Sequence, residues 1–109
     1  MIIAVDFDGT IVEHKFPGIG EERPGAIETL KKLQSMNNSI VIWTCRCEPF
    51  LAPMTRWLGE RGFVPDAIIP NVVPVVGFAV PKILADVYID DRNLGGVPDW
   101  NTIFKMLTG

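Results

Sequence analysis

The hydrophobic residues fall into short unbroken runs that alternate with stretches of helical period. Four runs have the length and composition of β-strands: IIAVDF (2–7), SIVIWT (39–44), DAIIP (66–70) and ADVYID (85–90). The first two are apolar almost throughout, which is typical of strands buried on both faces of a parallel sheet.

Between these runs, apolar residues recur every three or four positions and predict amphipathic helices. The three stripes are Ala26, Ile27, Leu30 and Leu33; Phe50, Met54, Trp57 and Leu58; and Trp100, Ile103, Phe104 and Leu107. We expect the second helix to begin near residue 52, because Pro53 fits only a first turn, and the third to begin at Pro98. Alternating strands and helices predict an α/β fold, a Rossmann-like three-layer sandwich with a mostly parallel sheet.

The segment NVVPVVGFAVP (71–81) has no clean period, and its prolines predict an irregular extended course. The whole apolar region 67–81 is too short, and too often broken by proline, for a membrane helix. Its apolar character makes it a candidate interface for a homo-oligomer. A loop that packs on its own core explains it equally well.

Composition narrows the class of protein. The chain has 109 residues, 48% of them hydrophobic and 21% charged, so we expect residues 1–109 to form a single globular domain. A net charge of −3 argues against non-specific nucleic-acid binding and against binding to an anionic membrane surface.

Cys45 and Cys47 are too close in sequence for an ordinary disulfide or a zinc knuckle. We expect buried or half-buried free thiols in a reducing cytoplasm, and no signal peptide is visible.

Polar residues cluster where the apolar runs end. Asp6 and Asp8 close the first run, and alternation in a strand would point both to one face, where like charges repel unless a positive group lies between them. In a parallel sheet the carboxyl ends meet at one edge, where ligands bind. Four carboxylates, a hydroxyl and an ammonium would converge there: Asp6, Asp8, Asp90, Asp91, Thr44 and Lys82. This composition indicates a site for Mg²⁺ and phosphate.

These residues also resemble a known family. The stretch DFDGT (6–10), the apolar strand ending in Thr44, Lys82, and YIDD (88–91) resemble, in order and spacing, the four motifs of the haloacid-dehalogenase (HAD) superfamily of phosphohydrolases. The resemblance runs from residue 2 to about residue 94. It implies a HAD-like hydrolase domain and a Mg²⁺-dependent phosphomonoesterase that works through an aspartyl-phosphate intermediate.

The resemblance also implies a role for each catalytic residue. Asp6 would be the nucleophile. Asp8 would protonate the leaving oxygen and later activate water, which requires it to be protonated part of the time near neutral pH. Thr44 and Lys82 would stabilise the transferring phosphoryl group.

Metal and substrate contacts follow in the same way. The resemblance assigns the Mg²⁺ to Asp6 and Asp90, with the backbone carbonyl of Asp8 as a further ligand and Asp91 acting directly or through water. Gly9 would let the chain turn sharply after the strand. Gly9, His14 and Arg46 are also candidate substrate contacts; His14 lies in a loop, residues 13–20, that forms a flap over the site in this family, and Arg46 would otherwise pair with Glu48.

The spacing between the motifs leaves no room for a cap domain, so we expect a small capless member with an open site. Its substrate would be a phosphorylated small molecule or a phosphorylated macromolecule. One alternative is a catalytically weak or inactive HAD-fold binding module. A phospho-receiver-like domain is disfavoured, because there the acidic pair comes first in the chain, whereas here it comes last.

Overall fold

The computed structural model describes residues 1–70 and 83–109. Within them, four strands form one sheet in the order β3-β2-β1-β4: β1 Ile2–Val5, β2 Ser39–Thr44, β3 Ala67–Pro70 and β4 Val87–Ile89. The pairings of β1 with β2, β1 with β4 and β2 with β3 are all parallel. The predicted α/β class and Rossmann-like parallel sheet are confirmed.

Three helices accompany the sheet in the described residues: α1 Ala26–Ser35, α2 Leu51–Glu60 and α3 Trp100–Thr108. Helix α2 begins at Leu51, which places Pro53 in its first turn as expected. Helix α3 begins two residues later than predicted. Its N-cap is Asp99, whose side chain accepts a hydrogen bond from the backbone N–H of Thr102, so Pro98 precedes the cap instead of opening the helix.

Strand β1 is shorter than its apolar run. The Asp6 N–H still donates to the Ile89 carbonyl at 2.9 Å, but the Phe7 carbonyl accepts from the N–H groups of Thr10 and Ile11 in a tight turn. The chain therefore leaves the sheet between Asp6 and Phe7. Strand alternation, the reason given for placing Asp6 and Asp8 on one face, does not extend to Asp8, but both residues line the same cleft.

The buried core lies between the sheet and helix stripes, as the periodicity predicts. Ile40 and Ile42 of β2 are fully buried together with Leu30 and Leu33 of α1. Trp100, the first residue of α3, is also buried, and α1 packs against both β2 and α3. This packing fixes the strand ends that carry the polar residues.

Three predictions fall partly or wholly outside the described residues. The irregular course of 71–81 and the position of Lys82 both lie there, as does most of the candidate interface 67–81. Only its first residues, Ala67–Pro70, are described, as strand β3 at one edge of the sheet. None of the helices in residues 1–70 and 83–109 has the length and apolar character needed to cross a membrane.

Candidate functional site

The carboxyl ends of β1, β2 and β4 meet at one cleft, as predicted for a parallel sheet. The cleft has a volume of about 220 Å³. Its walls come from the strand ends, the flap and the loop after β4: Asp6, Asp8, His14, Phe16, Cys45, Arg46, Asp90, Asp91 and Arg92. Six of these are candidate site residues from the sequence analysis: Asp6, Asp8, His14, Arg46, Asp90 and Asp91.

Three carboxylates form the centre of the cleft. Asp6, Asp90 and Asp91 each offer one oxygen, and these oxygens lie within 4.8 Å of one another. Burial, followed by the charges of Asp90 and Asp91, raises the pKa of Asp6 to about 8, and burial also raises the pKa of Asp90. A divalent cation would relieve this repulsion, and carboxylate oxygens are the ligands that Mg²⁺ prefers. The donor set fits a magnesium ion.

Thr10 and Trp100 hold this cluster in position. The Thr10 hydroxyl donates to Oδ2 of Asp6 at 3.2 Å and accepts from the backbone N–H of Asp91 at 3.1 Å. The indole N–H of the buried Trp100 donates to the Thr10 carbonyl at 3.1 Å. The sequence assigned Trp100 only to the apolar face of a helix, and its contact with Thr10 was not predicted. The feature that could have indicated such a contact is that a buried tryptophan N–H needs a hydrogen-bond acceptor.

Gly9 lies where a side chain would not fit. Its φ is 83°, and a Cβ there would lie 2.4 Å from Oδ2 of Asp91. The predicted turn is confirmed in its local geometry. Contact of Gly9 with a substrate stays a prediction.

Asp8 forms an ion pair with Arg46, outside the three-carboxylate cluster. Its Oδ2 accepts from Nε of Arg46 and its Oδ1 from Nη2, both at 2.7 Å. The Arg46 side chain is fully buried, whereas Asp8 keeps 14% of its side-chain surface exposed. Arg46 therefore pairs with Asp8 and not with Glu48, the partner that the sequence suggested. The acid–base role of Asp8 and a substrate contact for Arg46 stay predictions.

Of the remaining candidate residues, the structure describes Thr44 and His14 but not Lys82. Thr44 is 1% exposed, and its hydroxyl oxygen accepts from the Arg46 backbone N–H at 3.0 Å. His14 lies in the cleft wall. Lys82 is outside the described residues.

The cysteines differ from expectation in one respect. Both are free, as predicted, but both are exposed, so the prediction of buried or half-buried thiols is wrong. Cys45 follows the end of β2 and lines the cleft. Partial desolvation, with a smaller contribution from the Asp6 charge, raises the pKa of its thiol.

A comparison with solved structures supports the fold. The chain is similar to the D,D-heptose 1.7-bisphosphate phosphatase from B. bronchiseptica, solved in complex with magnesium and phosphate, with a TM-score of 0.53 and 21% identity over 74% of this chain and 55% of that chain. This likeness shows a HAD-like fold.

A second solved structure shows the family. A conserved protein from Bacteroides thetaiotaomicron is 45% identical, with a TM-score of 0.87 over 98% of this chain and 88% of that chain. The chain belongs to the same family as this Bacteroides protein. No protein-family model and no curated protein matches the chain.

Proposed function

We propose that this protein is a Mg²⁺-dependent phosphomonoesterase that works through an aspartyl-phosphate intermediate. The observation that carries the proposal is the acidic cluster: Asp6, Asp90 and Asp91 offer oxygens within 4.8 Å of one another at the carboxyl edge of a parallel sheet. The HAD-like fold of a phosphatase solved with magnesium and phosphate supports the same reading.

In the first step, a carboxylate oxygen of Asp6 attacks the substrate phosphorus. The bond from phosphorus to the leaving oxygen breaks, its electron pair stays on that oxygen, and the oxygen takes a proton from Asp8. In the second step, water attacks the phosphorus and gives its proton to Asp8. The bond from phosphorus to Asp6 then breaks and restores the carboxylate.

The other residues of the cleft position these groups. The Thr10 hydroxyl donates to Oδ2 of Asp6 and leaves Oδ1 as the attacking oxygen. The hydroxyl group of Thr44 would donate its proton in a hydrogen bond to a phosphoryl oxygen. Lys82 has the same proposed role as a fixed positive charge.

Magnesium would be held by Asp6 and Asp90, with the Asp8 carbonyl and Asp91 as further contacts. When bound, it would supply the positive charge that neutralises the cluster and the developing charge on the phosphoryl oxygens. The substrate would be a phosphorylated small molecule or macromolecule. In this proposal the enzyme has no cap domain, because the chain between Thr10 and Thr44 holds only a loop, helix α1 and strand β2, and it self-associates through residues 67–81.

Hydrolysis of para-nitrophenyl phosphate, measured with and without Mg²⁺, tests the proposal. We expect Mg²⁺-dependent turnover that falls by at least about a thousandfold in Asp6→Asn, which keeps the shape but removes the nucleophile. Glu60→Gln, an exposed change at the end of α2, is the matched control and should leave the rate unchanged. A folded wild type that binds Mg²⁺ but hydrolyses no phosphomonoester would contradict the proposal and favour a binding module.

A further inference from the structure

Arg46 has an unusually complete set of partners for an arginine beside a cleft. Its guanidinium carries five N–H groups, and each is directed at a protein acceptor. Two go to the Asp8 carboxylate at 2.7 Å each, one to the Gly18 carbonyl at 2.6 Å, and the others to the carbonyls of Pro17 at 3.3 Å and Phe50 at 3.5 Å. A direct grip on a substrate anion would have to break one of these bonds.

Aromatic rings enclose the same group. The guanidinium carbon lies 5.4 Å from the ring centroid of Phe7 and 5.1 Å from that of Phe16. Phe16 also meets Phe50 edge to face, with 5.1 Å between centroids. Planar stacking and forked hydrogen bonding are properties of arginine that lysine does not share.

The hydrogen-bond partners of Arg46 belong to three separate segments of the chain. Asp8 lies in the turn after β1, Phe50 precedes α2, and Pro17 and Gly18 belong to the flap, residues 13–20. The flap is closed at its base by the Glu13 N–H, which donates to the Glu21 carbonyl at 2.8 Å. Its tip is held to the rest of the cleft by Arg46.

We propose that Arg46 is a positioning residue that fixes the Asp8 carboxylate and ties the flap to it. The proposal rests on the proposed function for its catalytic part. Bidentate pairing fixes the carboxylate plane, while the part of Asp8 that stays exposed lines the cleft. A proton could be delivered from there to a leaving oxygen in the cleft.

Leaving-group dependence tests whether Arg46 acts through Asp8. The Asp8 proton matters for an alkoxide leaving group and matters little for para-nitrophenolate, which leaves without protonation. We expect Arg46→Lys to lower kcat/KM by about a hundredfold for glycerol phosphate and by less than about tenfold for para-nitrophenyl phosphate. In an Asp8→Asn background, Arg46→Lys should lower kcat/KM by less than about threefold, and by the same factor for both substrates.

Arg61→Lys is the matched control, because Arg61 also stacks on an aromatic ring, with 3.6 Å from its guanidinium carbon to the Trp57 centroid, but lies outside the cleft lining. It should leave the ratio of the two substrates unchanged. An equal loss on both substrates in Arg46→Lys, or a loss that persists in full without Asp8, would overturn the proposal.

Hydrogen exchange of the flap amides keeps the inference separate from the phosphatase assignment. If the wild type hydrolyses neither substrate, the proposed function fails, but Arg46→Lys should still speed exchange in residues 13–20 by about tenfold or more relative to Arg61→Lys. If Arg46→Lys does not fold, Arg46→Gln is measured instead, because it also shortens the side chain that donates to the Pro17 and Gly18 carbonyls. Unchanged flap exchange in the folded variant would overturn the tie between Arg46 and the flap.

Discussion

Asp6 and Asp8 are two residues apart, yet their carboxylates have opposite electrostatic surroundings. Asp6 faces Asp90 and Asp91 within a cluster of like charges. Asp8 faces the guanidinium of Arg46, with both of its oxygens engaged. Burial and the neighbouring charges disfavour the ionised form of Asp6, whereas the chain itself supplies a cation for Asp8.

The difference follows from where the chain leaves the sheet. Asp6 still donates its backbone N–H to Ile89 of β4, so its side chain is held beside Asp90 and Asp91. The turn stabilised by the Phe7 carbonyl then carries Asp8 away toward the loop after β2. One tight turn thus separates a carboxylate of the acidic cluster from a carboxylate that is paired with an arginine.

The same substitution at the two positions should have opposite effects on stability. In Mg²⁺-free buffer at high pH, Asp8→Asn should lower the free energy of unfolding by about 3 kcal/mol, because it leaves the buried Arg46 cation without its counter-charge. Asp6→Asn should leave stability unchanged or raise it, because it removes one of three repelling charges. Urea unfolding of the two variants and the wild type measures both. Equal losses would show that the two environments do not differ as described.

The pH dependence of stability should report on Asp6. Its pKa is about 8 in the folded protein and 3.8 when unperturbed, so between these values the folded state holds a proton that the unfolded state has lost. The free energy of unfolding of the Mg²⁺-free protein should therefore fall as the pH rises from about 4 to about 8. Thermal unfolding across this range measures the slope.

Magnesium and Asp6→Asn are the two controls for that slope. Mg²⁺ should raise the melting temperature more at pH 8 than at pH 5. At pH 5 a proton on Asp6 competes with the metal ion, whereas at pH 8 the carboxylate is partly ionised and can bind it. Asp6→Asn should flatten the pH dependence. A slope of the same size in this variant would assign the effect to other groups.

Much of the fold and of the acidic cluster was accessible from the sequence. Strand β2 has the predicted bounds, Ser39–Thr44, because its apolar run is flanked by polar residues on both sides. The carboxylates were found because they follow apolar runs, and parallel strands bring such ends together. The end of β1 was not found, because Phe7 continues the apolar run after the backbone has left the sheet.

The side-chain links between distant segments were not predictable in the same way. Arg46 is 38 residues from Asp8, and Trp100 is 90 residues from Thr10. No local pattern joins these pairs, since periodicity describes one element at a time. The nearer acidic residue, Glu48, was therefore the natural guess for the partner of Arg46.

Gly9 tests how closely the backbone packs against the acidic cluster of Asp6, Asp90 and Asp91. Gly9→Ala should lower stability by more than Gly95→Ala and weaken Mg²⁺ binding by about tenfold, because its Cβ would displace the Asp91 carboxylate. Gly95 is a matched control, since its φ of 88° is close to the 83° of Gly9 but a Cβ there meets nothing within 4 Å. Both should share the cost, about 1 kcal/mol, of a left-handed backbone. Calorimetric Mg²⁺ titration of the two variants gives the comparison, and equal affinities would contradict it.

Trp100 should show the smallest effect, because it acts on the cluster only through the backbone of Thr10. Trp100→Phe keeps most of the buried ring but removes the N–H that donates to the Thr10 carbonyl, so we expect a loss of about 1 to 2 kcal/mol in the free energy of unfolding. Since Thr10 bonds both Asp6 and Asp91, Mg²⁺ affinity should also fall, by less than in Gly9→Ala. Trp57→Phe makes the same chemical change on a half-buried ring that packs against Phe7, on the Arg46 side of the cleft. A fall in Mg²⁺ affinity there as large as in Trp100→Phe would mean that the two sides are not independent.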